Sequence, residues 1–151
     1  EVAVRARAFG MRVLAYDPYV KQSQSAILVA SLKELLPQAD YVSLHVPLTE
    51  ETKGLINKQT LSLMKDGAYL INTGRGKCVV EEDVAEALRS GKLAGYATDV
   101  YSSEPPEPGN PLLSAPNTLL TPHIGASSKE NLLRIGDEVV KILEEYTGKR
   151  A

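Results

Sequence analysis

The sequence holds a single cysteine, Cys78, so no internal disulfide can staple it. Its place beside Val79 and Val80 makes it a buried structural thiol rather than a nucleophile. No run of Lys or Arg forms a stripe suited to nucleic acid, and 17 basic residues against 19 acidic ones leave a formal charge of -2. A nucleic-acid partner is therefore not expected. No apolar stretch approaches membrane-spanning length, and the N-terminus lacks the charged-then-apolar pattern of a signal peptide. The expectation is a soluble, cytoplasmic protein with no membrane partner. Internal repeats and low-complexity tracts are absent too. What is present, 43% apolar and 24% charged residues over 151 positions, is the makeup of one globular domain long enough for a sizeable core.

Strand-like and helix-like stretches alternate along the chain. Residues 1–9 place Val2, Ala3, Ala6 and Phe9 at helical spacing before Gly10, which reads as the end of a helix with its C-terminal glycine. Residues 12–16 form a short strand tipped by Asp17-Pro18, residues 27–29 a weaker one, and residues 41–46 a stronger one cut off by Pro47. Between them Ser31 caps a short helix that Pro37 ends. A helix of one to two turns starts at Asn57 and leads into residues 68–72, an apolar run opened by the turn Lys65-Asp66-Gly67. Glu81, Glu82 and Asp83 open the strongest helix of the middle region, with three acids at its positive end, Arg89 and Lys92 at its negative end, and Gly91 closing it. Val84, Ala87 and Leu88 face inward. Residues 93–100 make the next strand, five prolines between Glu104 and Asn117 impose an irregular loop, and residues 118–120 make the last strand before Pro122. The final helix opens at Ser127 or Ser128. Its apolar face, Leu132, Ile135, Val139, Ile142 and Tyr146, predicts docking against the body.

Strands separated by helices predict an α/β fold, a doubly wound parallel sheet with helices on both faces. Ligands of such sheets bind outside the carboxyl ends of the strands. Those ends carry Asp17, His45, Arg75, Asp99 with Glu104 soon after it, and His123. Arg75 stands between Gly74 and Gly76, where the backbone can bend and approach a ligand, and a guanidinium there suits bidentate grip on a carboxylate or phosphate. The tripeptide alone equally suits an arginine paired with a surface acid. An arginine to hold an acid, a histidine to move a proton and a carboxylate to orient the histidine form a coherent acid–base set that requires no metal. Glu104 bonded to His123 would fix the ring tautomer. Asp17, at a strand tip after a helix, sits where an acid accepts from the ribose hydroxyls of NAD, and read alone it is an ordinary turn former. His45 reads as a strand-end packing residue and Asp99 as a possible loop cap.

The motifs Tyr16-Asp17-Pro18, Leu44-His45-Val46-Pro47-Leu48, Asn72-Thr73-Gly74-Arg75-Gly76, Asp99 to Pro105 and Thr121-Pro122-His123-Ile124-Gly125-Ala126 resemble, in order and spacing, the nucleotide-binding domain of the NAD-dependent D-2-hydroxyacid dehydrogenases. The resemblance spans nearly the whole chain and is nearest to phosphoglycerate dehydrogenase and the glyoxylate and hydroxypyruvate reductases. It implies Arg75 anchoring the substrate's carboxylate and carbonyl, His123 as general acid/base at the C2 oxygen, and Glu104 supporting His123. It further implies Asp17 on the cofactor ribose, favouring NAD over NADP, and Val46, Pro47, Thr73, Gly74, Arg75, Asp99, His123, Gly125 and Ala126 lining the cofactor. The implied partner is a small 2-hydroxy or 2-keto acid in a homo-oligomeric parent. Gly74 stands where alanine is commoner in the family and Lys77 where glycine is commoner.

The family's Gly-x-Gly-x-x-Gly turn and the strand before it have no counterpart in the sequence, and neither does the substrate domain. Residues 1–151 therefore read as a truncated dinucleotide-binding domain whose isolated affinity for NAD is weak or lost and which has no turnover of its own. A non-catalytic dinucleotide-sensing module and a stand-alone flavodoxin-like module remain as alternatives. With one strand fewer, the slot between residues 12–16 and 41–46 is expected to close by direct pairing, because buried strand edges left unpaired cost about 1–3 kcal/mol per dry polar group. That closure gives a flavodoxin-like 2-1-3-4-5 order with an extra edge strand. The rivals are a strand borrowed from a second copy or an open gap.

Overall fold

The computed structural model describes residues 1–148. Helix α1 (Val2–Ala8) ends before Gly10, whose φ of 78° lies in the left-handed region that the end of a helix favours. Strands β1 (Leu14–Ala15) and β2 (Ile27–Leu28) follow, each only two residues long. Helix α2 (Leu32–Leu35) starts where Ser31 accepts the Glu34 N–H. The α-helix ends before Pro37, which sits in the first turn of a following 3₁₀ segment, Leu36–Gln38, where its missing N–H would have no partner within the turn. Strand β3 (Tyr41–Leu44) and helix α3 (Lys58–Leu63) come next, the helix closed at its start by a reciprocal capping box between Asn57 and Thr60. Strand β4 (Ala68–Asn72), helix α4 (Glu81–Arg89), strand β5 (Leu93–Thr98), strand β6 (Thr118–Leu120) and helix α5 (Lys129–Gly148) complete the order. Ser128, whose hydroxyl accepts the Asn131 N–H, opens α5.

All strand pairs are parallel, which makes the fold α/β and Rossmann-like. Strands β3-β4-β5-β6 form one sheet in sequence order, and their register aligns Leu44 with Asn72, Asn72 with Thr98, and Thr98 with Leu120. The residues that follow this row therefore emerge side by side along one crest. Beneath it, Val42, Leu44, Leu70, Leu93 and Tyr96 pack with Leu36, Ile56, Leu61, Met64, Val84, Leu88 and Leu112 into the core. No helix among the described residues is long and apolar enough to cross a membrane.

Three expectations are corrected. The slot does not close: β1 pairs only with β2, and β3 only with β4, so the two ladders stay separate and the flavodoxin-like order is not formed. Only dry edges would force closure, and Leu14 and Ala15 are half-buried while β3 alternates exposed Tyr41 and Ser43 with buried Val42 and Leu44. Water can therefore satisfy much of those edges, and the penalty that would force pairing is small. Second, among the described residues, helices cover one face of the larger sheet only. The other face leaves Tyr41, Tyr69 and Leu119 at 55%, 44% and 67% exposure, with the two tyrosine rings stacked at 5.1 Å. Third, α5 is amphipathic but none of its residues is buried. The apolar stripe specifies that a face is to be covered, not what covers it.

Candidate active site

The crest takes its shape from the ends of four strands. At the end of β4 the buried Asn72 carboxamide accepts the Gly74 N–H at 3.0 Å and donates to the Arg75 carbonyl at 3.0 Å, coiling residues 72–75 into a turn that carries the exposed Arg75 outward. The Arg75 Nη1 donates to the Gly74 carbonyl at 2.8 Å. Gly74 is held close: an added Cβ would lie 3.2 Å from the Val46 carbonyl oxygen.

At the end of β5, Asp99 is 8% exposed and accepts three hydrogen bonds from the turn after β6. The donors are the Thr121 hydroxyl at 2.6 Å, the Ile124 N–H at 2.9 Å and the Gly125 N–H at 2.7 Å. Burial pushes the Asp99 carboxyl upward, and the Thr121, Ile124 and Gly125 donors outweigh it, so the net shift is below the usual range. This clamp encloses His123, whose φ of 55° is left-handed, a conformation a side-chain-bearing residue holds only when its surroundings fix it.

His123 Nδ1 lies 2.6 Å from Glu104 Oε2. An ionised carboxylate only accepts, so the neutral ring carries its proton on Nδ1 and leaves Nε2 as the second functional atom. The other oxygen of Glu104 accepts the Tyr101 N–H at 3.1 Å. His123 first and the Tyr101 N–H next hold the Glu104 carboxyl below the usual carboxylate range. Tyr101 adds a further tie, its hydroxyl donating to the Thr121 carbonyl at 3.0 Å.

Glu104, His123, Asp99 and Gly125 thus form one cluster. Arg75 stands next in sequence to Gly76, which abuts the Tyr101 backbone, and its side chain bonds the Gly74 carbonyl rather than a member of this cluster. Pro47 borders the same crest, its carbonyl accepting the Thr52 hydroxyl at 2.6 Å, and the Ala126 carbonyl anchors Asn131 of α5 at 2.9 Å. Thr73 is exposed beside Gly74. Asp17 stands apart, on the crest of the smaller ladder, where Oδ1 accepts the Tyr19 N–H at 2.8 Å. His45 bonds Ser43 through Nε2 at 2.9 Å and is not brought onto Glu104. Cys78 is fully buried, with the Pro47 carbonyl 3.9 Å from its sulfur, as a structural thiol.

The profile of the D-isomer specific 2-hydroxyacid dehydrogenase NAD binding domain matches residues 1–125. The chain belongs to that family. The chain resembles a hydroxypyruvate reductase of Blautia hydrogenotrophica, 45% identical over 143 residues that are 93% of this chain and 44% of that protein. It likewise resembles a D-3-phosphoglycerate dehydrogenase of Archaeoglobus fulgidus, 45% identical over 139 residues, 90% of this chain and 26% of that protein. Among solved structures, the NAD-dependent formate dehydrogenase of Staphylococcus aureus in complex with NAD superposes with a TM-score of 0.88 at 36% identity, over 99% of this chain and 45% of that one. The chain therefore spans less than half the length of these proteins.

The crest of this domain fits NAD in part. Asp17 Oδ2 has no hydrogen-bond partner among the described residues and suits a ribose hydroxyl. No described helix opens on a Gly-x-Gly-x-x-Gly turn that would offer free N–H groups to a pyrophosphate. Asn72, Tyr101 and Thr121 were missing from the sequence-based site. Asn72 had a signal, since an amide ending an apolar strand has to find buried partners. Thr121 and Tyr101 had none, because their partners lie 22 and 20 residues away.

Proposed function

We propose that this chain carries the acid–base half of a dehydrogenase that transfers hydride between NAD and a D-2-hydroxy acid of the glycerate/hydroxypyruvate, glyoxylate or 3-phosphoglycerate class. The observation that carries the reading is the 2.6 Å contact of His123 Nδ1 with Glu104 Oε2 on a crest that also bears Arg75. Glu104 holds the ring so that Nε2 serves the substrate. In reduction the imidazolium form of His123 gives its Nε2 proton to the C2 oxygen and becomes the neutral ring with its proton on Nδ1; in oxidation that neutral ring takes the proton back at Nε2. Arg75 binds the substrate carboxylate, giving up its bond to the Gly74 carbonyl for a stronger charge-assisted pair. NAD, when bound, supplies or accepts the hydride at C2. Asp17 accepts from its ribose, while Val46, Pro47, Thr73, Gly74, Asp99, Gly125 and Ala126 border it. Hydroxypyruvate reductase and phosphoglycerate dehydrogenase relatives support the substrate class.

The test is calorimetric titration of the 151-residue chain with NADH, paired with assays of hydroxypyruvate and glyoxylate reduction. The separate ladders and the lack of a glycine-rich turn predict weak binding and no turnover by the chain alone. Turnover is expected from a protein joining these residues to the remaining span of the relatives. A joined protein that binds NADH and reduces none of these acids would count for the dinucleotide-sensing alternative.

A further inference from the structure

Glu81 is the first residue of α4, where an acid ordinarily faces solvent and favours the helix dipole. Here it is 7% exposed, although no lysine or arginine pairs with it among the described residues. Three neutral donors from one loop satisfy it instead. Oε1 accepts the Ser102 N–H at 2.9 Å, and Oε2 accepts the Ser102 hydroxyl at 2.5 Å and the Asn110 Nδ2 at 2.9 Å. Asn110 is itself fixed, its Oδ1 accepting the Leu112 N–H at 2.9 Å. Glu81 therefore grips Ser102 and Asn110, and Glu104 lies in the span between them. Two successive backbone N–H groups are pinned by two different carboxylates: Tyr101 by Glu104, which faces His123, and Ser102 by Glu81, which belongs to α4.

We propose that Glu81 is a positioning residue that holds the proline-rich loop so that Glu104 meets His123. Its catalytic meaning rests on the dehydrogenase reading above, whereas its geometric effect does not. Burying an acid without a cationic partner is costly, and here the three donors converging on Glu81 offset that cost. A two-oxygen acceptor is what gathers Ser102 and Asn110 onto one point.

The experiment records imidazole ¹⁵N shifts of the 151-residue chain with its rings neutral; His45 is the only other histidine and serves as the internal reference. The unmodified chain is expected to show the Nδ1–H form at His123, and Glu104→Ala to lose it. Glu81→Gln keeps the size but turns one oxygen into a donor against donors, so it should lose the Nδ1–H signature as Glu104→Ala does, with partial recovery in Glu81→Asp. Leu88→Ala, a buried truncation in the same helix, should keep the signature. A folded Glu81→Gln with an unchanged signature would overturn the proposal, as would an equal loss in Leu88→Ala. If Glu81→Gln does not fold, Ser102→Ala removes one of the three donors and should give a smaller shift in the same direction; no shift would overturn the proposal. Activity separates the two readings. A tautomer that moves in Glu81→Gln, beside unimpaired turnover in His123→Asn of a joined enzyme, would leave the positioning intact and remove the dehydrogenase role of His123.

Discussion

The backbone of Tyr101 passes so close to Gly76 that a Cβ on Gly76 would lie 1.9 Å from the Tyr101 carbonyl carbon. The obstruction is backbone, so no side chain can rotate away to make room. Gly76→Ala is expected to destabilise the domain by at least about 3 kcal/mol, the upper range for overpacking, because the loops carrying Arg75 and Glu104 have to separate. Urea unfolding would show this as a lower midpoint with unchanged slope. A midpoint within error of the parent would mean that the loops part easily.

Asp99→Asn exchanges one acceptor oxygen for a donor, which then faces either the Gly125 N–H at the Oδ2 place or the Thr121 hydroxyl and the Ile124 N–H at the Oδ1 place. The expected loss is about 1–3 kcal/mol, the range for a polar group left without its partner. The left-handed His123 depends on this clamp, so amide exchange at Ile124 and Gly125 should accelerate more than at β5. Uniform acceleration would refute a local role.

Much of this fold was legible because hydrophobic period and punctuation agree. Gly10, Ser31, Pro47, Gly91 and Pro122 mark boundaries that the structure keeps within a residue or two. The crest was legible for the same reason: Arg75, Asp99, Glu104 and His123 follow strands whose ends are in register. The long-range ties were not. Glu81 reads in sequence as one more acid at a helix start, and nothing local says that Ser102 and Asn110 will bury it. Pairing between β1 and β3 could not be settled from sequence either, since it turned on how wet two strand edges remain.

Acid should loosen the crest before it unfolds the core. The folded-state values of Glu104 and Asp99 are depressed, Glu104 by His123 first and Asp99 because its three donors outweigh burial. A depressed carboxylate contributes stability above its unfolded value, about pH 4, and loses that contribution as pH falls through the lower folded value. Stability should therefore decline below about pH 5. Glu1, Glu51 and Asp66 shift the same way, so the informative quantity is the difference between the parent and Glu104→Gln. That variant should show a shallower decline in urea midpoint between neutral pH and pH 3. Parallel curves would remove Glu104 from the linkage.

His123 and Arg75 should fail in different ways in a protein that joins this chain to the rest of its relatives' span. Losing a general acid costs roughly 10²- to 10⁴-fold in rate, and asparagine at position 123 can still hydrogen-bond but cannot shuttle a proton. His123→Asn should therefore lower kcat with little change in KM. Arg75→Ala removes a charge-assisted contact to the substrate carboxylate, worth about 1.5–3 kcal/mol, and should raise KM by roughly 10- to 100-fold. If the carboxylate pair strengthens as charge develops on the C2 oxygen, kcat falls as well, and the ratio of the two effects measures how much of the arginine's grip belongs to the transition state. Steady-state rates with hydroxypyruvate and glyoxylate, corrected for folded fraction, give both numbers. Near-parent constants in both variants would place the chemistry elsewhere on the crest.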